Sequence, residues 1–201
     1  MSWIKTIPYA ASTGKLRKLF DRVKGPDGYI DNILLAHGLR PHTLQGHMAL
    51  YKNVLHHQDN ALPKWFLESI GVLVSLLNKC AYCVEHHYAG LSRLIGDQAR
   101  ADEIRAALEN QHFDRAFNTQ EVVALNYVRT LTKDPSLVTN STVAALLEAG
   151  YSDGEILEIN QVASYFAYAN RTVLGLGISL QDDILGLSPN DNADSENWSH
   201  T

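Results

Sequence analysis

The sequence predicts an all-α fold, and three observations support this prediction. Long runs of good helix formers alternate with breaks at Gly, Pro, Asn and Asp. Alternating patterns of Val, Ile and Tyr, which are typical of strands, are nearly absent. The chain has 201 residues, of which 45% are hydrophobic, so it can form a sizeable core. We expect a single all-helical domain over residues 1–187.

The helices are expected where apolar spacing and start or stop signals agree. In chain order they cover about 15–23, 29–37, 43–56, 62–77, 79–95, 101–110, 118–131, 143–149 and 152–174. The segment 58–60 is a suitable cap ahead of Pro63 in a first turn. Asn118 and Ser152 are each followed three residues later by a glutamate, which is the spacing of a capping box. The polar tail 188–201 is expected to be disordered.

The charge and hydropathy of the chain disfavour several classes of partner. There are 17 basic and 22 acidic residues, with no basic stripe, so nucleic acid is not expected. No apolar run reaches the ~18 residues that a membrane span needs. Residues 1–11 lack the apolar core of a signal peptide, so a cytoplasmic protein is expected. In a reducing compartment, a close cysteine pair is more often catalytic or metal-binding than structural.

The most informative motif holds the only two cysteines, Cys80 and Cys83, with His87 four residues further on. On a helix these three side chains share one face, at about 100° per residue. Cysteines three apart on a helix are also close enough to form a disulfide. In the first helical turn Cys80 is stabilised as a thiolate by the helix dipole, and His87 can activate Cys83. The motif therefore indicates redox thiol chemistry.

Other interpretations of these residues remain open. The two cysteines can be buried structural thiols, or they can be half of a zinc site completed by histidines elsewhere. His86 points away from the thiol face and is interpreted as a surface or packing residue. His47 either faces the site or packs in the core.

Glu68 is the next candidate, because it lies twelve residues before Cys80 on the preceding predicted helix. Two helices joined by a short turn pack antiparallel, which brings Glu68 to the level of His87. Gly71 and Ser75 keep that face of the helix slim and would allow a close helix approach. The carboxylate could orient the imidazole as part of a relay. The alternative is a solvated ion pair with Lys64 at i−4.

Glu68 followed by the Cys80–Cys83–His87 motif resembles the alkylhydroperoxidase D-like superfamily, which includes the carboxymuconolactone decarboxylases. The flank Asn78–Cys83 is similar to the Asn-x-Cys-x-Tyr-Cys form common there, and the segment 32–41 and the pair Asn170-Arg171 are similar to its peroxidase-related branch. The resemblance extends over about 30–180, which we take as the domain core.

The resemblance implies an AhpD-like helical bundle with the CxxC at the start of a central helix, assembled as a trimer or hexamer. It implies a thiol-dependent peroxidase in which Cys83 attacks a hydroperoxide, Cys80 resolves the sulfenic acid into a disulfide, and Glu68 and His87 move protons. A separate thiol reductant then restores the dithiol, and no flavin, haem or metal is required.

One position departs from the family pattern. The alkylhydroperoxidase D proteins themselves carry a second histidine between the cysteines, where this chain has Tyr82. This difference favours the peroxidase-related branch. Three alternative functions are kept: a carboxymuconolactone decarboxylase-type enzyme, a non-enzymatic thiol–disulfide adaptor or redox sensor, and a zinc-binding structural protein.

Overall fold

The computed structural model describes residues 2–189, 194 and 196–200. The described residues form helices and contain no strand beyond an isolated bridge between Pro189 and His200, so the all-α prediction is confirmed. The α-helices are α1 (Gly14–Val23), α2 (Asn32–Ala36), α3 (Pro41–Leu55), α4 (Lys64–Leu77), α5 (Ala81–Ile95), α6 (Gln98–Glu109), α7 (Thr119–Lys133), α8 (Asn140–Glu148) and α9 (Asp153–Leu176). Within this described part, no helix has the length and apolar character needed to cross a membrane.

The centre of the fold is α4, in which every residue from Phe66 to Ser75 is buried. It packs most extensively against α5, with which it forms an antiparallel hairpin, and then against α9, α7 and α6. A helix that is apolar all round is expected to be enclosed on all sides. The resemblance implied that the CxxC begins a central helix, whereas the most enclosed helix is α4 and the cysteines begin its partner α5.

Local side-chain caps hold the starts of α6, α7 and α9. The capping boxes that begin at Asn118 and Ser152 are both present, which confirms those predictions. The cap predicted at 58–60 is wrong, since Pro63 is the N-cap residue of α4 and provides no side-chain bond. Instead, Glu158 of α9 accepts hydrogen bonds from the backbone N–H groups of Ala61 and Leu62. A distant carboxylate therefore fixes the entry to α4.

The turn from α4 to α5 is a tight Schellman motif. Lys79 has φ 59° and donates its N–H to Leu76, and Cys80 donates its N–H to Ser75. This geometry ends α4 and makes Cys80 the N-cap residue of α5. The sequence placed Lys79 inside the helix and Cys80 in its first turn. That boundary is wrong because the left-handed Lys79 cannot continue a helix.

The face of α4 that carries Gly71 and Ser75 packs closely against α9, whereas the sequence analysis expected this close approach with α5. A Cβ on Gly71 would lie 2.3 Å from Cε2 and Cζ of Phe166, and Ser75 accepts a hydrogen bond from Asn170. Both partners belong to α9 rather than α5. The close approach of α4 and α5 occurs at Gly90, where an added Cβ would be 3.6 Å from Glu68 Oε1.

The described part of the tail is packed against the domain, contrary to the expectation of disorder. Trp198 is only 1% exposed, and the guanidinium of Arg22 lies 3.6 Å from its ring centroid. Arg22 also pairs with Glu196 at 2.7 Å, and His200 is buried. The apolar burial of one tryptophan outweighs the polar composition around it. Residues 190–193, 195 and 201 of the predicted tail lie outside the described residues.

Candidate active site

A cavity of about 50 Å³ lies between α2, α3, α4, α5, α9 and the C-terminal segment. A single water needs about 10–15 Å³ on the same measure, so a small polar group such as –O–OH can enter. Three of the four predicted site residues line this cavity, namely Glu68, Cys83 and His87. Cys80 is not in its lining and is fully buried behind Cys83.

Glu68 and His87 form a direct pair across the α4–α5 hairpin. Oε2 of Glu68 is 2.8 Å from Nδ1 of His87, and both side chains are largely buried. Burial alone would raise the pKa of Glu68, but the charge and hydrogen bond of His87 outweigh it and hold that pKa below its usual value. The carboxylate is therefore ionised near neutral pH and fixes the imidazole with Nδ1 toward α4.

Aromatic rings hold the imidazole from two other sides. Phe166 of α9 meets the His87 ring edge-on at a centroid distance of 4.5 Å, and Tyr51 of α3 meets it edge-on at 6.1 Å. Tyr51 is itself stacked on Tyr165 at 5.3 Å. With Nδ1 engaged by Glu68, this packing leaves Nε2 as the ring nitrogen available to exchange a proton in the cavity.

The two cysteines are free thiols in contact with each other. The hydrogen bond from Cys83 lowers the pKa of Cys80, and the same bond together with burial raises the pKa of Cys83. In the reduced pair these directions favour the thiolate form at Cys80 over Cys83. This result differs from the expectation that both thiols are activated separately, because Cys83 bonds to Cys80 and to Asn170.

Asn170 is a polar contact of Cys83, and the sequence analysis assigned it no role in the site. It is fully buried on α9, where its Nδ2 donates to Ser75 Oγ at 3.0 Å and its Oδ1 accepts from Asn78 at 3.0 Å. Its side chain also bonds to Cys83, which opposes the rise in the pKa of that thiol. The Asn170-Arg171 pair was noted as part of the family resemblance, and that was the signal that could have identified it.

Tyr82, which replaces the family's second histidine, is directed to a buried carboxylate. Its hydroxyl donates to Asp183 Oδ2 at 2.5 Å, and Asp183 also accepts from Tyr29 and from the backbone N–H of Asn32. His86 Nε2 lies 3.2 Å from the same oxygen, so the interpretation of His86 as a packing residue fits the geometry. Sequence reasoning missed this network because Asp183 is about a hundred residues away.

His47 lies in the cavity lining and is 3% exposed. Its ring packs near Tyr165 at 5.8 Å, and its Nδ1 is buried without a hydrogen-bond partner. Both sequence interpretations of His47 therefore hold in part, since it packs in the core and faces the site. Within the described residues no group of three or more His, Cys, Asp or Glu side chains is arranged to hold a metal ion.

Comparison with known proteins agrees with this architecture. Residues 41–130 match the model of the carboxymuconolactone decarboxylase family. This match covers α3 to α7 and includes Glu68, both cysteines and His87. No curated protein matches the chain in sequence.

Solved structures share the fold at low identity. The alkylhydroperoxidase AhpD core of an uncharacterized peroxidase-related protein from Ralstonia eutropha JMP134 has a TM-score of 0.77 and 23% identity, over 89% of this chain and 91% of that one. An uncharacterized peroxidase-related protein from Silicibacter sp. TM1040 has a TM-score of 0.72 and 22% identity, over 88% and 87%. The debrominase Bmp8, as a Cys→Ala variant with 2,3,4-tribromopyrrole, has a TM-score of 0.70 and 17% identity, over 90% and 95%.

The family-model match and the shared fold confirm the resemblance to the AhpD-like superfamily, which includes the carboxymuconolactone decarboxylases. Proteins with this fold are described as peroxidase-related and as a debrominase, so the fold carries more than one chemistry.

Proposed function

We propose that this protein is a thiol-dependent peroxidase that reduces hydroperoxides through a dithiol–disulfide cycle of Cys80 and Cys83. The observation that carries the proposal is the arrangement at the cavity. Cys83 lines it together with the hydrogen-bonded Glu68–His87 pair, while Cys80 lies behind Cys83 and out of the cavity. One thiol can meet a substrate, and the other can meet only its neighbour.

The proposed reaction proceeds in two balanced steps. The sulfur of Cys83 attacks the terminal oxygen of the hydroperoxide, the O–O bond breaks, and a sulfenic acid and an alcohol form. The thiolate of Cys80 then attacks the Cys83 sulfur, which releases the sulfenic oxygen as water and forms the disulfide. The imidazole of His87, held by Glu68, takes up the proton that Cys83 loses in the first step and returns it to the departing water. The alkoxide released when the O–O bond breaks becomes the alcohol by taking a proton from solvent or from an acid in the cavity.

The pKa directions of the two thiols fit these roles. In the reduced pair, the lowered pKa of Cys80 favours the thiolate form of the proposed resolving thiol. The raised pKa of Cys83 keeps it protonated until a base is available, and His87 is the base that lines the same cavity. The scheme also requires a separate thiol reductant. We propose a homo-oligomer, a trimer or hexamer, on the basis of the resemblance.

Two rivals are separable by experiment. A decarboxylase-type activity is favoured by the family match over 41–130, but such chemistry needs no cysteine pair. Turnover of a lactone substrate by the Cys80→Ser, Cys83→Ser double variant would support that rival. A thiol–disulfide adaptor would form its disulfide by exchange with a partner protein and not with peroxide.

The test is a free-thiol titration over time after stoichiometric cumene hydroperoxide is added. Wild type should lose two thiols rapidly. Cys80→Ser should retain a sulfenic acid at Cys83 that dimedone traps, because no resolving thiol remains. Cys83→Ser should keep its remaining thiol. Oxidation of Cys83→Ser at the wild-type rate would refute the assignment of Cys83, and wild-type thiols that exchange with a disulfide but ignore peroxide would refute the peroxidase function.

A matched control separates the role of the Glu68–His87 pair from that of the fold. His87→Gln should slow the peroxide step while leaving the reduction of the Cys80–Cys83 disulfide by a small dithiol intact. A change at His112, which is not part of the cavity lining, should leave the rate of the peroxide step unchanged.

A further inference from the structure

A second carboxyl group faces the Cys83 cavity, and the proposed reaction does not yet use it. Asp31 is the N-cap residue of α2, yet its side chain makes no capping hydrogen bond. An aspartate at this position normally accepts a backbone N–H of the first turn. Asp31 instead is 8% exposed, lines the same cavity as Cys83, and its Oδ1 has no hydrogen-bond partner.

A buried carboxyl oxygen without a partner is unfavourable and calls for an explanation. The first turn of α2 offers this oxygen no free donor, because the N–H of Asn32 is bonded to Asp183 and the N–H of Ile33 to the Tyr82 hydroxyl. The Asp31 side chain is left facing the cavity. Unfavourable placements of this kind concentrate at functional sites.

The groups around Asp31 come from several elements. His200 of the tail places Nε2 at 3.9 Å from Asp31 Oδ2, while His86 of α5 and Asp183 after α9 act on it through their charges. Burial raises the pKa of Asp31 to about 7, with His86 lowering it and Asp183 adding to the rise. Burial also lowers the pKa of His200 to about 4, so that this neighbour is neutral near pH 7. Asp31 is therefore protonated in a large share of molecules at neutral pH.

We propose that Asp31 is the acid of the peroxide step. It donates its proton to the alkoxide oxygen that is released when the O–O bond of the hydroperoxide breaks. This inference rests on the proposed peroxidase function. The proton balance closes: His87 receives the proton of Cys83, Asp31 supplies a proton to the leaving alkoxide, and the alcohol departs neutral. Asp31 is reprotonated from solvent, which supplies the proton that Cys80 gave up when it became a thiolate, and His87 returns its proton when the sulfenic oxygen leaves as water.

The chemistry gives this proton donor a clear purpose. An alkoxide is a strongly basic leaving group, and general acid catalysis of its departure accelerates such a step by roughly 10²–10⁴-fold. The carboxylate that leaves a peracid is weakly basic and departs without a proton. The two classes of oxidant therefore distinguish an acid that serves the leaving group from a side chain that only supports the cavity.

The experiment measures the rate of Cys83 oxidation by tert-butyl hydroperoxide and by peracetic acid in wild type and Asp31→Asn. Asparagine is nearly isosteric with aspartate, and no capping hydrogen bond is lost because the Asp31 side chain makes none, so the fold is retained. The matched control is Asp97→Asn, which changes the N-cap residue of α6, where the side chain does cap and lies outside the cavity lining. Thermal unfolding of the three proteins checks their stability.

We expect Asp31→Asn to lose roughly 10²-fold with tert-butyl hydroperoxide and little with peracetic acid. In wild type the tert-butyl hydroperoxide rate should also fall as pH rises through about 7, and Asp31→Asn should lack this limb. Equal losses with both oxidants, or no loss with either, would overturn the role of Asp31 and leave the peroxidase function standing. A wild type inert to both oxidants would instead overturn the peroxidase function and this inference with it.

Discussion

Replacing Gly71 with alanine tests whether the contact between α4 and α9 sets the position of His87. An alanine Cβ would lie 2.3 Å from two ring atoms of Phe166, a side chain that is fully buried. Ordinary carbon contacts are about 3.5 Å, so the ring must move by about 1 Å. Phe166 is rigid and borders the His87 imidazole at 4.5 Å, so the displacement is transmitted to the site.

Two opposing effects set the magnitude. Overpacking of a buried site costs about 1–3 kcal/mol, and a methyl group against an aromatic ring belongs at the upper end of that range. Alanine in a helix is favoured over glycine by about 1 kcal/mol. The net expectation is a loss of about 2 kcal/mol in the free energy of unfolding, or roughly 4–8 °C in Tm for a chain of this size.

The assay is urea unfolding of Gly71→Ala beside Gly46→Ala. Gly46 lies within α3, and an added Cβ there meets nothing within 4 Å. This control should be stabilised by about 1 kcal/mol because only the helix propensity changes. Gly71→Ala should in addition oxidise more slowly with peroxide. If Gly71→Ala is as stable as Gly46→Ala, the reasoning about Phe166 is wrong.

Three further predictions concern the same hairpin. Lys79→Gly should raise the free energy of unfolding by about 1 kcal/mol, because a φ of 59° disfavours any residue with a side chain. Lys79→Ala is the control, and an equal gain in both variants would contradict this reasoning. Asn170→Ala should lower the free energy of unfolding by about 1–3 kcal/mol, because Ser75 and Asn78 lose their hydrogen-bond partner. The same change should slow alkylation of Cys83 by iodoacetamide, because the thiol loses a bond that lowers its pKa, and unchanged alkylation would refute this part. Glu68→Gln should lose the stabilisation that comes from the lowered pKa of Glu68 in the folded state. In wild type this stabilisation is fully present above the unfolded pKa of about 4.3 and disappears as pH falls through the lower folded pKa. The urea midpoints of wild type and Glu68→Gln should therefore converge only in acid.

Local signals made most of the fold predictable from sequence. Capping boxes depend on residues three apart, which is why those at Asn118 and Ser152 were identified correctly. The Glu68–His87 pair was approachable for a related reason, since a short turn fixes the register of a helical hairpin. The error at Cys80 came from Lys79, whose residue type gives no sign of a left-handed conformation.

Long-range contacts account for what the sequence did not disclose. Sequence analysis assigned no role to Asp31, and only the folded chain shows its carboxyl in the cavity lining near His200. Trp198 was a signal for burial that the polar composition of the tail obscured. The face of α4 with Gly71 and Ser75 lies toward α9 because of how α4, α5 and α9 pack together. Hydrophobic periodicity alone does not specify which neighbour lies on which side of a helix.

The hairpin of α4 and α5 has a consequence for how this architecture diversifies. Glu68, both cysteines and His87 are encoded within one contiguous segment, 68–87. The residues that face them across the cavity, among them Asp31 and His200, come from opposite ends of the chain. Mutations outside segment 68–87 can therefore change which oxidant the cavity binds, while the dithiol and its Glu68–His87 pair stay together in one short stretch of sequence.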